Sequence, residues 1–390
     1  MNPAHPAQAH GGCSVAPRPF LTLIEGAEVF TPKPLGVQSI LVGCGEILRI
    51  GDVESAALER CGLGIETLDG SGCVATPGFV DPHQHLIGAG GEQGFGTRLP
   101  EVPATDIALS GITTAVGCLG TDTVTRSLAA LLGKVRQLEV QGLTAYLYTG
   151  GFQVPPPTLT GSVLSDVVLI DKVLGVGEIA ISDVRSSQPS VAELARLVSD
   201  AWVGGTLSGK AGVTHFHVGP GRRRLSCLHA LLDQHEVTPA AIYATHINRT
   251  PELLSDAIGL ARRGAFVDID TVDEDLPPWL RRYRDGGGVP ERLTVSSDAH
   301  TRGGAPRKLH GQLVACCRDH GLPLGEVLPL FTANPAAALG LSRKGRLREQ
   351  ADADIVLMRR DSLQIVHVLA RGRLLVRDGQ PQPCLTGPHA

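Results

Sequence analysis

No stretch of this chain approaches the roughly 18–20 uninterrupted apolar residues that span a bilayer, and its longest apolar runs are strand-sized. A membrane is therefore not an expected partner. Positive charge is in equally short supply. The 35 Lys and Arg against 39 Asp and Glu leave a formal net charge of −4, so no basic field is present for a phosphate backbone, and nucleic acid is not an expected partner either. Residues 1–19 are rich in Pro, Ala, Gly and His but lack the basic and apolar regions of a secretion signal, so they read as a disordered tail. A soluble, cytoplasmic protein is the expectation. The nine cysteines are odd in number and contain no CxxC pair, which points to reduced thiols that pack rather than bridge. Two further motifs are missing. His235-Glu236 is not followed by the second histidine of a zincin helix, and the glycine-rich stretch Gly88–Gly96 has neither GxGxxG nor a P-loop lysine.

What is present suits one large core and a smaller satellite, since 390 residues exceed the about 250 that a single α/β barrel takes. From Phe20 to about Leu68, short β-like runs alternate with Gly, Pro and Asp, and the same texture returns in Asp354-Ile-Val-Leu-Met, Ile365–Val368 and Leu374–Val376. Between these ends the period changes. Eight β-branched runs (Val74–Val80, Ile112–Cys118, Thr144–Thr149, Glu178–Ser182, Val213–His217, Ala241–His246, Ala265–Ile269 and Leu293–Ser297) are separated by amphipathic stretches such as Thr123–Gln141, Val191–Trp202 and Pro251–Arg263. Eight parallel strands close a barrel. The expected fold is a (β/α)8 TIM-like barrel over 77–342, with a small β-sandwich built from both chain ends, 20–76 and 343–385.

Polar residues stand at or just past the C-terminal ends of these strands. His83 and His85 follow the first, His217 ends the fifth, His246 ends the sixth and Asp298 follows the eighth. In a barrel that rim is where catalytic groups converge, so residues far apart in sequence can meet there. In Asp81-Pro-His-Gln-His, residues two apart project to one side of an extended chain and can share a cation. Imidazole nitrogen and carboxylate oxygen suit Zn2+ or a similar divalent ion. His215, in Thr214-His-Phe-His, lies one layer below His217, either as a hydrogen-bonded interior residue or as support for a ligand.

Pro77-Gly-Phe-Val-Asp-Pro-His-Gln-His, the later single histidines, Ser296-Ser-Asp and Ala351-Asp-Ala-Asp-Ile-Val-Leu resemble the amidohydrolase superfamily. Within it, the chain resembles the isoaspartyl (β-aspartyl) dipeptidases through His85-Leu-Ile-Gly-Ala-Gly-Gly-Glu, Gly117-Cys-Leu-Gly-Thr-Asp, Thr160-Gly-Ser-Val, Ala180-Ile-Ser-Asp-Val-Arg-Ser and Thr245-His-Ile-Asn-Arg. The resemblance implies metal-dependent hydrolysis of an amide bond in a small zwitterionic substrate, a β-aspartyl dipeptide, by a homo-oligomer. It implies that His83 and His85 hold the more buried metal, that His217 and His246 hold the more exposed one, and that Asp298 both ligates and shuttles the proton. Glu92 would accept the substrate's α-amine and Arg185 and Arg249 its carboxylates, through their planar forks, with Thr121 and Gly90 completing the pocket.

Two positions depart from the family. Seven residues before Arg185, where the family carries a carboxylated lysine that bridges two metals, stands Glu178. A shorter carboxylate can still bridge, so two Zn2+ ions, one ion, and a glutamate that only balances charge all stay open. Lys172 and Lys210 fall in a preceding helix and a loop. Phe152 replaces a tyrosine that polarises the scissile carbonyl, and losing one such donor costs about 10²–10³ in rate. His300 or Arg302 offers a replacement, or else both belong to a plain surface loop. The alternatives are an amidohydrolase of another class, a deaminase or N-acylamino-acid deacylase, and a catalytically impaired metal-binding homologue.

Overall fold

The computed structural model describes residues 21–60, 62, 64–272, 275–300 and 305–386. The amino-terminal tail 1–19 and Arg302 lie outside the described residues. The first five strands are β1 (Leu21–Phe30), β2 (Pro34–Gly43), β3 (Glu46–Gly51), β4 (Ile65–Asp69) and β5 (Cys73–Pro77). They share one nine-stranded sheet with the last four, β14 (Ile355–Arg359), β15 (Ile365–Ala370), β16 (Arg373–Arg377) and β17 (Gln380–Pro381). The chain ends meet where β5 pairs antiparallel with β14, Ala75 opposite Leu357. Side-chain alternation divides the burial. Cys73, Ala75, Ile355 and Leu357 pack into the sheet's own core, while Val74, Val356 and Met358 face the large core shared with the barrel.

The second sheet is the barrel: β6 (Phe79–Gln84), β7 (Ile112–Gly117), β8 (Thr144–Thr149), β9 (Val173–Ile181), β10 (Val213–Val218), β11 (Ile242–Thr245), β12 (Phe266–Asp270) and β13 (Leu293–Ser296), all parallel and paired in chain order. Most are buried along their whole length, as parallel strands covered by helices must be. Closure between β13 and β6 is nearly complete. A bridge joins Gln84 to Ala299, His85 N–H donates to Ala299 O at 2.9 Å, and Ser297 N–H donates to the Asp81 carboxylate at 3.1 Å.

Several boundaries differ from the sequence-based expectation: Glu178–Ser182 is the end of a strand that starts at Val173, and the helix expected over Val191–Trp202 runs on to Ser208. Val74–Val80 is not one strand but the end of β5 and the start of β6, in different sheets. The chain switches sheets at Gly78, where a Cβ would lie 2.2 Å from Thr113 Oγ1. The helix expected from Thr123 begins at Leu128, because Asp122 turns the chain by accepting from Val124 and Thr125 N–H, and Ser127 then caps the helix. The helix Val191–Ser208 opens on a Ser190/Glu193 capping box, and Pro251–Arg262 opens on Thr250 with Pro251 in its first turn. Among the described residues, no helix is long and apolar enough to cross a membrane.

Candidate active site

The C-terminal rim of the barrel gathers groups from five strands around Glu178. This carboxylate, in β9, is 1% exposed and stands among the histidines of both neighbouring groups. His83 Nε2 lies 3.2 Å from Glu178 Oε2, His217 Nδ1 lies 3.3 Å and His246 Nε2 lies 3.7 Å from the same oxygen, and His85 Nε2 lies 3.6 Å from Oε1. Asp298 Oδ1 lies 3.2 Å from His85 Nε2 and 3.5 Å from His83 Nε2. All six expected metal-site residues are thus brought together. Two of them, His246 (φ 64°) and Asp298 (φ 45°), sit in left-handed backbone that only a few per cent of non-glycine residues adopt, a strain that clusters at functional positions.

The donor set fits a divalent cation. Nε2 of His83 and Oδ1 of Asp298 are buried with no hydrogen-bond partner in the protein, an arrangement that an electrophile between them would resolve. Burial pushes the His83 imidazole down to about 4, so it keeps the lone pair a ligand needs. Burial alone would raise Glu178 and Asp298, yet the surrounding imidazoles, His83 foremost, hold both carboxyls well below the usual carboxylate range. His246 is driven the other way. Burial disfavours its charge, but hydrogen bonds to Asp270 and Glu178 push it up to about 10, so this field already calls for positive charge. Two sets can hold a metal, His83/His85/Cys118/Glu178 and Glu178/His217/His246, with Glu178 common to both.

Three partners of these imidazoles were not singled out from sequence. Asp270 Oδ2 binds His246 Nδ1 at 2.9 Å. Asp183 Oδ2 lies 3.2 Å from His217 Nε2 and takes Arg185 Nη2 at 2.7 Å, while its Oδ1 takes Arg185 Nε at 2.9 Å. Cys118 Sγ lies 3.8 Å from His85 Nδ1. Asp183 and Asp270 stand just past or at the end of a barrel strand, so the position rule that found Asp298 could have found them. Hydrogen bonds from His217 and then Arg185 hold Asp183 well below the usual range, and burial pushes the Cys118 thiol up to about 12.

The residues expected to meet substrate lie on the loops at the mouth. Arg185 Nη1 donates to Glu92 Oε1 at 2.7 Å and Thr121 Oγ1 donates to the same oxygen at 2.6 Å, so these three residues from three loops are joined. Gly90 (φ 71°) fits where a Cβ would meet Thr97 O at 2.6 Å. Arg249 is exposed, and its Nε donates to Val218 O at 2.8 Å. Phe152 is buried, its ring 4.4 Å from that of His217 and 5.1 Å from the Arg185 guanidinium carbon.

His300 lies near His85, ring centroids 6.5 Å apart, and its Nδ1 donates to Asp298 O at 2.6 Å. His215 is fully buried, but aromatic contacts rather than hydrogen bonds hold it. It stacks on Tyr148 and meets His83 edge-on, each at 4.9 Å, and neither ring nitrogen has a partner in the protein. Lys172 pairs with Glu139, and Lys210 Nζ donates to Ile170 O, so neither replaces a bridging lysine.

Comparison with known proteins agrees with this geometry. The Amidohydrolase family profile matches residues 298–382. The crystal structure of a β-aspartyl dipeptidase from Fervidobacterium islandicum AW-1 is 38% identical, covers 93% of this chain and 99% of its own, and superposes with a TM-score of 0.87. The same organism's β-aspartyl dipeptidase in complex with β-Asp-Leu is 36% identical over the same shares, with a TM-score of 0.85. A dihydroorotase of Geobacter metallireducens is 34% identical over 103 residues, 25% of this chain and only 21% of that relative's length.

Proposed function

The chain belongs to the β-aspartyl dipeptidases of the amidohydrolase superfamily, and from that premise we propose that it hydrolyses the amide bond of β-aspartyl dipeptides at a zinc centre. The observation that carries this reading is the Glu178 carboxylate set among His83, His85, His217 and His246, directly beneath an Arg185–Glu92–Thr121 network suited to a zwitterion. His83, His85, Asp298 and one Glu178 oxygen would hold one ion, and His217, His246 and Glu178 a second. When bound, the metal supplies a Lewis acid that polarises the carbonyl and makes water acidic enough to attack at neutral pH.

The chain's own residues do the rest. Glu92 receives the free α-ammonium, and Arg185 and Arg249 receive carboxylates and so set the β-amide over the cluster. The Asp298 carboxylate, kept ionised by its neighbours, takes a proton from the attacking water and hands it to the leaving amine. Phe152 offers the carbonyl no proton, and its ring instead keeps water off His217.

A division into a barrel over 77–342 and a β domain from 20–76 and 343–385 belongs to the same proposal, supported by the two separate sheets. So do a homo-oligomer and a cytoplasmic location. Trp202, Val203 and Leu207, exposed on one helix, support the first, and the free thiols of the seven described cysteines support the second.

The test is metal analysis of the purified protein with an assay of β-Asp-Leu and related dipeptides by amine release. Cleavage that chelation abolishes and Zn2+ restores is expected. A metal-loaded protein inert toward every β-aspartyl dipeptide would overturn the reading. Phe152 specifically favours one alternative, a deaminase or N-acylamino-acid deacylase on the same centre, and ammonia or carboxylate release from those substrates would then identify it.

A further inference from the structure

Three of the clustered imidazoles turn one nitrogen toward the Glu178 or Asp298 oxygens and give the second a partner, whereas His83 Nδ1 has none in the protein. For His217 and His246 the second nitrogen meets a carboxylate, Asp183 and Asp270. For His85 it meets sulfur. We propose that Cys118 is a positioning residue, whose thiol accepts the Nδ1–H of His85 and so fixes the tautomer that leaves Nε2 free to bind a metal. The inference rests on the metal reading of the cluster above.

The local chain explains why a thiol can do this. Cys118 follows β7, and its N–H donates to Gln84 O at 3.0 Å, which stitches it to the residue before His85. Its S–H points to the same carbonyl, with Sγ 3.6 Å from Gln84 O. With its proton committed there, sulfur presents lone pairs to His85 Nδ1 at 3.8 Å, an ordinary length for a hydrogen bond to sulfur. Nε2 then carries the lone pair, 3.2 Å from Asp298 Oδ1 and 3.6 Å from Glu178 Oε1. Three acceptors facing one another repel unless positive charge, a proton or a metal ion, sits between them.

The ring is also confined from its edge, because a Cβ at Gly120 would lie 3.0 Å from His85 Cε1. The partner of a ligating imidazole normally fixes its tautomer, and removing it costs about 10–100-fold in metal affinity. A thiol does so without adding charge, whereas Asp183 and Asp270 each add a negative one.

The experiment loads the full-length protein with Zn2+ and follows competition with a chromophoric chelator, in wild type, Cys118→Ala and Cys118→Ser. Folding of each is checked by circular dichroism. The alanine variant is expected to bind about 10–100-fold more weakly and the serine variant, which keeps a donor and acceptor, to recover most of the loss. Should the alanine variant not fold, histidine-15N NMR of the zinc-loaded wild type decides, with a proton on His85 Nδ1 expected.

Unchanged affinity in a folded alanine variant overturns the role, as does a His85 that binds through Nδ1. A Cys118-dependent sulfur-to-metal charge-transfer band in the Co2+-loaded protein also overturns it, since sulfur would then be a ligand. A wild type that binds no divalent ion overturns the metal reading itself, a result distinguishable from all of these.

Discussion

Phe152 is 2% exposed and lies against both His217 and the Arg185 guanidinium, so a tyrosine there would carry its hydroxyl on a ring that already borders the cluster. A donor aimed at a developing oxyanion is worth about 10²–10³ in rate. Phe152→Tyr is therefore expected to raise kcat on β-Asp-Leu by about 10-fold or more with little change in KM, read by steady-state kinetics. Asp183 carries a different burden, since its two oxygens hold His217 and the fork of Arg185 at once. Asparagine offers one acceptor in place of two, so one of those contacts must fail. Asp183→Asn should both loosen metal by about 10-fold or more in chelator competition and raise KM. A change in only one of the two would show that the residue serves only one partner.

At the level of elements, the loops after β6 and β7 act as one piece. Asp122 Oδ1 accepts Thr125 N–H at 2.8 Å and Val124 N–H at 3.1 Å, and its Oδ2 accepts Arg98 at 2.9 Å and Arg126 at 3.3 Å. Arg126 also donates to Ile87, Ala89 and Leu99 carbonyls, which ties the segment bearing Gly90 and Glu92 to the one bearing Thr121. Asp122→Ala is expected to raise KM by about 10-fold while kcat changes much less, because the mouth shifts and the metal cluster does not. Burial would raise the Asp122 carboxyl, but its hydrogen bonds, Thr125 foremost, hold it down to about 2. A depressed carboxyl stabilises above its unfolded value near 3.9 and loses that contribution as pH falls toward 2. The loop should therefore become protease-sensitive in that acid window, before the barrel unfolds.

Across the whole molecule, barrel and sheet are joined through a buried lysine. Lys344 Nζ donates to Asp354 Oδ2 at 2.7 Å and to Thr144 Oγ1 at 2.9 Å, and Asp354 in turn accepts Thr113 of β7 at 3.2 Å. Removing the cation strands a buried carboxylate, so Lys344→Met should cost about 3–5 kcal/mol in denaturant unfolding. Burial opposes the charge of Lys344, yet Asp354 and Asp352 raise its pKa. A raised lysine stabilises fully below its unfolded value near 10.4 and loses that contribution as pH climbs through the higher folded value. Wild-type Tm should accordingly fall on the alkaline side of about 10.4 more steeply than that of Lys344→Met.

Periodicity made the eight barrel strands legible, and polar residues at their ends made His83, His85, His217, His246 and Asp298 stand out. It failed at Val74–Val80 because a continuous apolar run does not reveal that Gly78 hands the chain from one sheet to another. Resemblance to a family pointed to Glu178, Glu92, Arg185 and Phe152, which no spacing rule would have selected.

The sequence alone determined the α/β alternation and the inventory of imidazoles and carboxylates, since both follow from local side-chain pattern. The tertiary structure alone decided which second group meets three of the four imidazoles: Asp183 for His217, Asp270 for His246, Cys118 for His85. Those pairs join residues 24 to 34 positions apart, from different strand ends, and only closure of the barrel brings such ends within hydrogen-bonding distance.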